Sequence, residues 1–362
     1  MKYSGIDAQW WLVIAVPLVS VISIHALLLA AARFGVPKSG GDDTTLHAAT
    51  PAVYGLAVFL AFVLVVLTTG GLPAHSWSLL AAMFIVVAMG VAADLSEIDF
   101  NYRLFAQLVA ALIVVSGTTV HVTGFGDLFG TGDIVLGKWS ILATLLSAIG
   151  LMNALRLTDT LDGLPGTMTI VSLILLIGVA VSANEWRLGF EMAILGGSVM
   201  GIFLFNLSSR GKIYSRRLGG AGCVLAGLLL YWYAAQLVGA PRSVVNPITM
   251  VWILAVPLLD MASQMFIRVL QRKSPLYADR QHWYLFLLDA GYSSAQVVAA
   301  ISLASLALGL VGLQAARIGA PESLMFFLFL CLFGANLLAL FYPQRLIHLA
   351  VRIWSPTGIK CN

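Results

Sequence analysis

Charge is what this sequence has least of. Only 10% of its 362 residues are Asp, Glu, Lys or Arg, against about a quarter in a soluble globular chain, so it cannot clothe a water-facing surface. That scarcity excludes a soluble enzyme and a disordered chain. With 60% apolar residues and a mean hydropathy of +0.95, a polytopic membrane protein is what remains. Cysteine is also scarce: Cys223, Cys331 and Cys361 are too few and too scattered for a secreted disulfide scaffold or a zinc site. With Cys361 as the second-last residue, no C-terminal prenylation box is expected. There is no internal repeat, no low-complexity tract and no loop long enough for a soluble domain. Residues 1–362 therefore read as one membrane domain. The net charge of +4 comes without any RNA- or DNA-binding motif, so nucleic acid is not an expected partner.

What is present is a series of apolar runs near the ~20 residues that cross a bilayer core. Eleven are predicted as transmembrane helices: 10–32, 52–69, 77–93, 104–120, 139–154, 164–182, 189–206, 219–238, 246–268, 296–317 and 322–342. The first has Lys2 before it and Ala30-Ala31-Ala32 after it, like a signal peptide, but its length and the ten runs behind it make it a helix. Basic residues set the orientation. With the N-terminus outside, inner segments carry fifteen Lys/Arg and outer segments five. Trp10, Trp11, Trp77, Trp139 and Trp186 then fall at outer helix ends, where interfacial indoles belong. The expected architecture is all-α, N-out and C-in. The tail from Gln344 to Trp354 reads either as a short interfacial helix or as the plain end of the last span.

The informative polar residues lie in segments that this topology puts on the cytoplasmic side, near 33–51, 94–103, 155–163, 207–218 and 269–295. Asp94, Glu97 and Asp99 follow the third helix. Asn153, Arg156, Asp159 and Asp162 follow the fifth, Asn206 to Arg217 the seventh, and Asp279, Arg280 and His282 the ninth. Carboxylates beside basic loops at a membrane surface suit a divalent cation and phosphate chemistry. Singly, each motif has a plainer reading. Arg216-Arg217 serve as positive-inside anchors, Asp159 and Asp162 as a helix N-cap pair, Asp260 as a structural partner of a nearby Arg, and His282 as a surface histidine.

Taken together in this order, the motifs resemble the polyprenyl-phosphate N-acetylhexosamine-1-phosphate transferases over roughly residues 45 to 295. The run from Asn153 to Gly163 is similar to the family's Asn-Ala-x-Asn-x-x-Asp-Gly-x-Asp-Gly motif. His47 with Pro51 and Gly55 resembles its first cytoplasmic motif, and Asn206 with Lys212-Ile213-Tyr214 its Asn…Lys-Ile-Phe segment. Asp279, Arg280 and His282 resemble the start of its histidine-rich loop, and Pro257 to Asp260 a run on the helix leading there. The resemblance implies a bacterial inner-membrane enzyme that moves a sugar-1-phosphate from a UDP-sugar to polyprenyl phosphate with Mg²⁺, in cell-envelope polysaccharide synthesis. It implies Asp94, Asp159 and Asp162 as catalytic residues, with Asp159 and Asp162 as metal ligands. His47, Asn153, Arg156, Asn206, Lys212, Arg217, Asp279, Arg280 and His282 would then bind substrate. The bilayer, polyprenyl phosphate and a UDP-sugar are the implied partners, with a homodimer as an allowed assembly.

The sequence also departs from the family pattern. Ala93 stands where the first of two paired aspartates belongs, and Arg217 aligns with a metal-binding aspartate. Arg156 replaces an Asn, Thr160 a Gly, and Tyr284 a His. A second function class therefore stands beside the transferase: a catalytically silent homologue that binds nucleotide sugar or polyprenyl phosphate. A transporter fits less well, because the charges cluster in loops rather than at the membrane midplane and no paired inverted halves are visible. Buried or cleft-facing carboxylates need a compensating cation, so Arg217 is expected within salt-bridge reach of Asp159 or Asp162. The N-out, C-in topology predicts that a cysteine at Gly124 is labelled from the periplasm and one at Ser209 only from the cytoplasm. Equal labelling of both would sink it.

Overall fold

A computed structural model describes residues 11–33, 50–69, 76–96, 98–118, 120–208, 217–239, 245–274, 282 and 284–342. The helices are α1 (Trp11–Arg33), α2 (Thr50–Thr68), α3 (Ser76–Leu95), α4 (Phe100–Gly117), α5 (Ser140–Leu157), α6 (Leu164–Ser182) and α7 (Trp186–Ser208). They continue with α8 (Gly219–Val238), α9 (Pro247–Ile253), α10 (Ala255–Leu270), α11 (Leu285–Asp289), α12 (Ser294–Arg317) and α13 (Glu322–Phe341). Every predicted apolar run is thus helical. Hydrocarbon offers no partner for backbone N–H and C=O groups, and a helix satisfies them within the segment. Among the described residues, nine helices are long and apolar enough to cross a membrane, or ten if α9 and α10 form one bent span; α2 is a shorter apolar helix. The described residues contain no strand, only a bridge between Gly124 and Val135 in the α4–α5 connection. The chain is a multi-pass membrane protein.

α8 is the axis of the bundle. Seventeen of its twenty residues are buried, against α2, α3, α5 and α6. Lipid tails are as apolar as leucine, so helices in a bilayer gain most from close backbone approach at small residues. The first turn of α8, Gly219-Gly220-Ala221-Gly222, provides that. A Cβ added at Gly90 of α3 would lie 2.3 Å from the Ala221 Cα, so only glycine permits this crossing. Elsewhere a hydroxyl bridges a helix pair: Ser20 Oγ on α1 donates to the Ser198 carbonyl on α7 at 2.8 Å.

The ninth apolar run, expected as one helix over 246–268, is two. α9 ends at Ile253, α10 starts at Ala255, and the axes differ by 88°. Pro257 supplies a physical reason: it has no N–H to give the Ile253 carbonyl, and its ring clashes with that carbonyl in a continuous helix. α10 buries the stripe Val256, Asp260, Ser263, Gln264 and Ile267 while exposing Phe266, Val269 and Leu270.

α13 is attached differently from the rest. Only 6% of its apolar window is buried, yet polar bonds hold it at both ends. Glu322 accepts the Asp127 N–H at 3.1 Å and the Asn246 side-chain amide. Asn336 Nδ2 donates to Ser263 Oγ at 2.8 Å and to the Leu259 carbonyl at 3.2 Å.

Gly90→Ala should force α3 away from α8, costing about 1–3 kcal/mol as overpacking does. The check is a lowered thermal unfolding midpoint of the detergent-solubilised protein; an unchanged midpoint would mean the contact with Ala221 is loose.

Candidate functional site

The loop ends of α3, α5 and α8 meet at one charge cluster. Asp94 lies in the last turn of α3 rather than in the loop after it, and its carboxylate reaches the start of α8. There Oδ1 accepts the Gly220 N–H at 2.9 Å and Oδ2 the Ala221 N–H at 3.2 Å. These are first-turn donors without intrahelical partners, at the positive end of the helix dipole. Arg156 and Arg103 are the cations facing Asp94. A Cβ on Gly220 would sit 2.6 Å from both Asp94 Oδ1 and an Arg156 guanidinium nitrogen, so the Asp94–Arg156 approach requires glycine here.

The α5 motif begins inside the helix and ends in the turn beyond it. Asn153 pairs with Gln107 of α4: its Nδ2 donates to Gln107 Oε1 at 2.6 Å and its Oδ1 accepts from Gln107 Nε2 at 3.4 Å. Arg156 closes the last turn of α5. Asp159 follows, with Oδ1 sealed from solvent and without a hydrogen-bond partner. Burial pushes its carboxyl up to about 7; Arg217 opposes the rise, Asp94 adds to it, and Arg156 and the Leu218 N–H oppose it. Asp162 is half-exposed and salt-bridged, its Oδ1 lying 3.4 Å from Arg217 Nε, with side chains 44% and 49% accessible. The sequence expectation of an Arg217 ion pair with this turn is met. The structure therefore brings together Asp94, Asp159, Asp162, Arg156 and Arg217.

Among the described residues singled out in the sequence, Asn206, Asp260 and His282 lie outside this cluster. Asn206 lies near the end of α7 and donates to the Tyr54 hydroxyl at 3.3 Å and the Ile202 carbonyl at 2.9 Å. His47, Lys212, Asp279, Arg280 and the 344–354 tail fall outside the described residues. His282 is not the surface histidine of the plainer reading, and among the described residues Asp260 has no arginine partner. The two bond to each other, His282 Nδ1 to Asp260 Oδ2 at 2.8 Å, with side chains 1% accessible. Tyr284 stacks on His282 with ring centres 4.9 Å apart, and its hydroxyl hydrogen-bonds the Thr160 hydroxyl at 2.9 Å. A continuous run of contacts thus connects the bent α10 to the residue next to Asp159. Sequence reasoning missed Arg103, Gln107 and the Tyr284–Thr160 bond. The only signal for the last was that two family positions, a Gly and a His, had both changed.

The Glycosyl transferase family 4 pattern matches residues 76–238, the stretch from α3 through α8 that builds the cluster. A Yersinia pestis undecaprenyl-phosphate alpha-N-acetylglucosaminyl 1-phosphate transferase is 29% identical over 284 residues, 78% of each chain. The Escherichia coli K12 protein of that name is 26% identical over 328 residues, 89% of each chain. In these matches the chain is similar to the polyprenyl-phosphate N-acetylhexosamine-1-phosphate transferase family. For such a transferase the resemblance implies Mg²⁺, and the donor set here does not fit it. Mg²⁺ asks for carboxylate oxygens in near-octahedral order. Both oxygens of Asp94 are engaged by backbone N–H groups, Asp162 carries a guanidinium, and among the described residues no three His, Cys, Asp or Glu side chains are placed to hold a metal ion.

Breaking the buried pair should be costly, because it strands one polar partner in the core. His282→Ala or Asp260→Asn is expected to remove about 3–5 kcal/mol of stability, and Tyr284→Phe about 1 kcal/mol. Thermal unfolding in detergent measures both; wild-type midpoints in all three would refute the connection.

Proposed function

We propose that this transferase-family chain binds a polyprenyl phosphate and a UDP-sugar at the inner-membrane, cytoplasmic-side cluster and transfers the sugar-1-phosphate to the lipid. The observation that carries this reading is the convergence of Asp94, Arg156, Asp159, Asp162 and Arg217 at the loop ends of three helices. Relatives matching most of the chain are named for transfer of N-acetylglucosaminyl 1-phosphate to undecaprenyl phosphate. Guanidinium groups bind phosphate through paired N–H donors, and a carboxyl poised near 7 accepts a proton at neutral pH.

A second reading has one observation in its favour, the Arg217–Asp162 pair, since the resemblance sets Arg217 against a metal carboxylate. On that reading the chain holds the same ligands without turnover. One assay separates the two. Purified protein with undecaprenyl phosphate and a panel of UDP-sugars should release UMP, and Asp162→Asn should abolish the release. UDP-sugar binding with no UMP from any donor supports the silent homologue, and neither binding nor release refutes both.

A further inference from the structure

The family implies a divalent cation beside the substrate phosphates, yet a fixed cation already stands in the cluster. We propose that Arg217 takes the place of that metal, so that the site recognises a phosphate or diphosphate group through guanidinium alone and does not take Mg²⁺. The inference rests on the functional reading above and specifies the chemistry of that same site.

Three features of the geometry carry it. Arg217 Nε lies 3.4 Å from Asp162 Oδ1, and a divalent ion bound to that carboxylate would face a guanidinium at contact distance. Asp94 has no oxygen to spare, since its two acceptors hold the first turn of α8 through Gly220 and Ala221. Asp159 retains an unpartnered Oδ1, but a single inward oxygen does not make a magnesium shell. The arrangement suits an exchange. Half of the Arg217 side chain is accessible, so its guanidinium can leave Asp162 for an incoming phosphate and bind two oxygens at once. Arg156 stays at Asp94, on the other side of the cluster.

Two sources of phosphate fit this chemistry, a nucleotide diphosphate from water and a lipid headgroup from the bilayer, and the test has an arm for each. Isothermal titration of the full-length protein in nanodiscs would use MgCl₂ alone, UDP with either EDTA or MgCl₂, and undecaprenyl phosphate with either. The expected result is no saturable Mg²⁺ binding to the wild type. At least one of the two phosphates should bind with the same affinity in EDTA as in MgCl₂. Arg217→Gln should weaken that ligand by about tenfold or more, while Arg217→Lys, which keeps the charge but not the fork, should weaken it less. The ligand that responds identifies the source. Saturable Mg²⁺ binding by the wild type would overturn the proposal, as would phosphate binding that requires MgCl₂ or an unchanged affinity in Arg217→Gln. Mg²⁺-dependent UDP binding would leave the transferase reading standing. Failure of both phosphates to bind under every condition would remove that reading as well.

Discussion

Asp94 reaches from the last turn of α3 into the first turn of α8, and its two oxygens take up N–H groups that the helix itself cannot satisfy. The rest of this end of the bundle follows from this contact. It fixes the height of the most buried helix relative to α3, and the glycines that allow the contact also let Gly90 meet Ala221. It draws Arg156 to the same place from α5. The turn after α5 then has to close against this charge, which puts Asp159 beside Arg217 and Leu218 at the entry to α8. One carboxylate therefore serves both the packing of the bundle and the electrostatics of the site.

Most of the fold was legible in the sequence because the bilayer leaves few alternatives. A run of about twenty apolar residues becomes a helix wherever backbone groups have no water to turn to. Even the break in the ninth run had its cause in plain view at Pro257, but the high apolarity across it hid the change of direction. The site was legible where it is local, as with the Asp159–Asp162 turn and its salt-bridge partner Arg217. It was not legible where partners come from distant helices. Gln107 lies 46 residues from Asn153, and Asp260 22 from His282. Neither spacing has a periodicity that would announce it. The first pair forms because α4 packs against α5, and the second because the chain just before α11 returns to α10.

The replaced family positions behave as a set. Tyr284 stands where the family has a histidine and Thr160 where it has a glycine, and the two new hydroxyls bond to each other. Arg217, which the resemblance sets against a family carboxylate, meets Asp162. A hydroxyl left alone at the buried Tyr284 position would be penalised for its desolvation, whereas a matched pair is not. The changes are therefore mutually compatible in the folded chain, whatever turnover the site supports.

The polar ties on α13 separate two properties that usually go together, position and burial. Its flank contributes almost nothing to the apolar core, while Glu322 and Asn336 pin it at two points to the α4–α5 connection, α9 and α10. Such a helix acts as an outrigger, located by these fastenings and by Met325, Phe329 and Phe333 against Trp252 and Phe266, with the rest of its flank exposed. Among the helices described, it is the one where membrane thickness and acyl-chain composition act most directly. Strain that a bilayer imposes on its two ends passes through those fastenings to α10, and so to the bent segment whose Asp260 anchors His282.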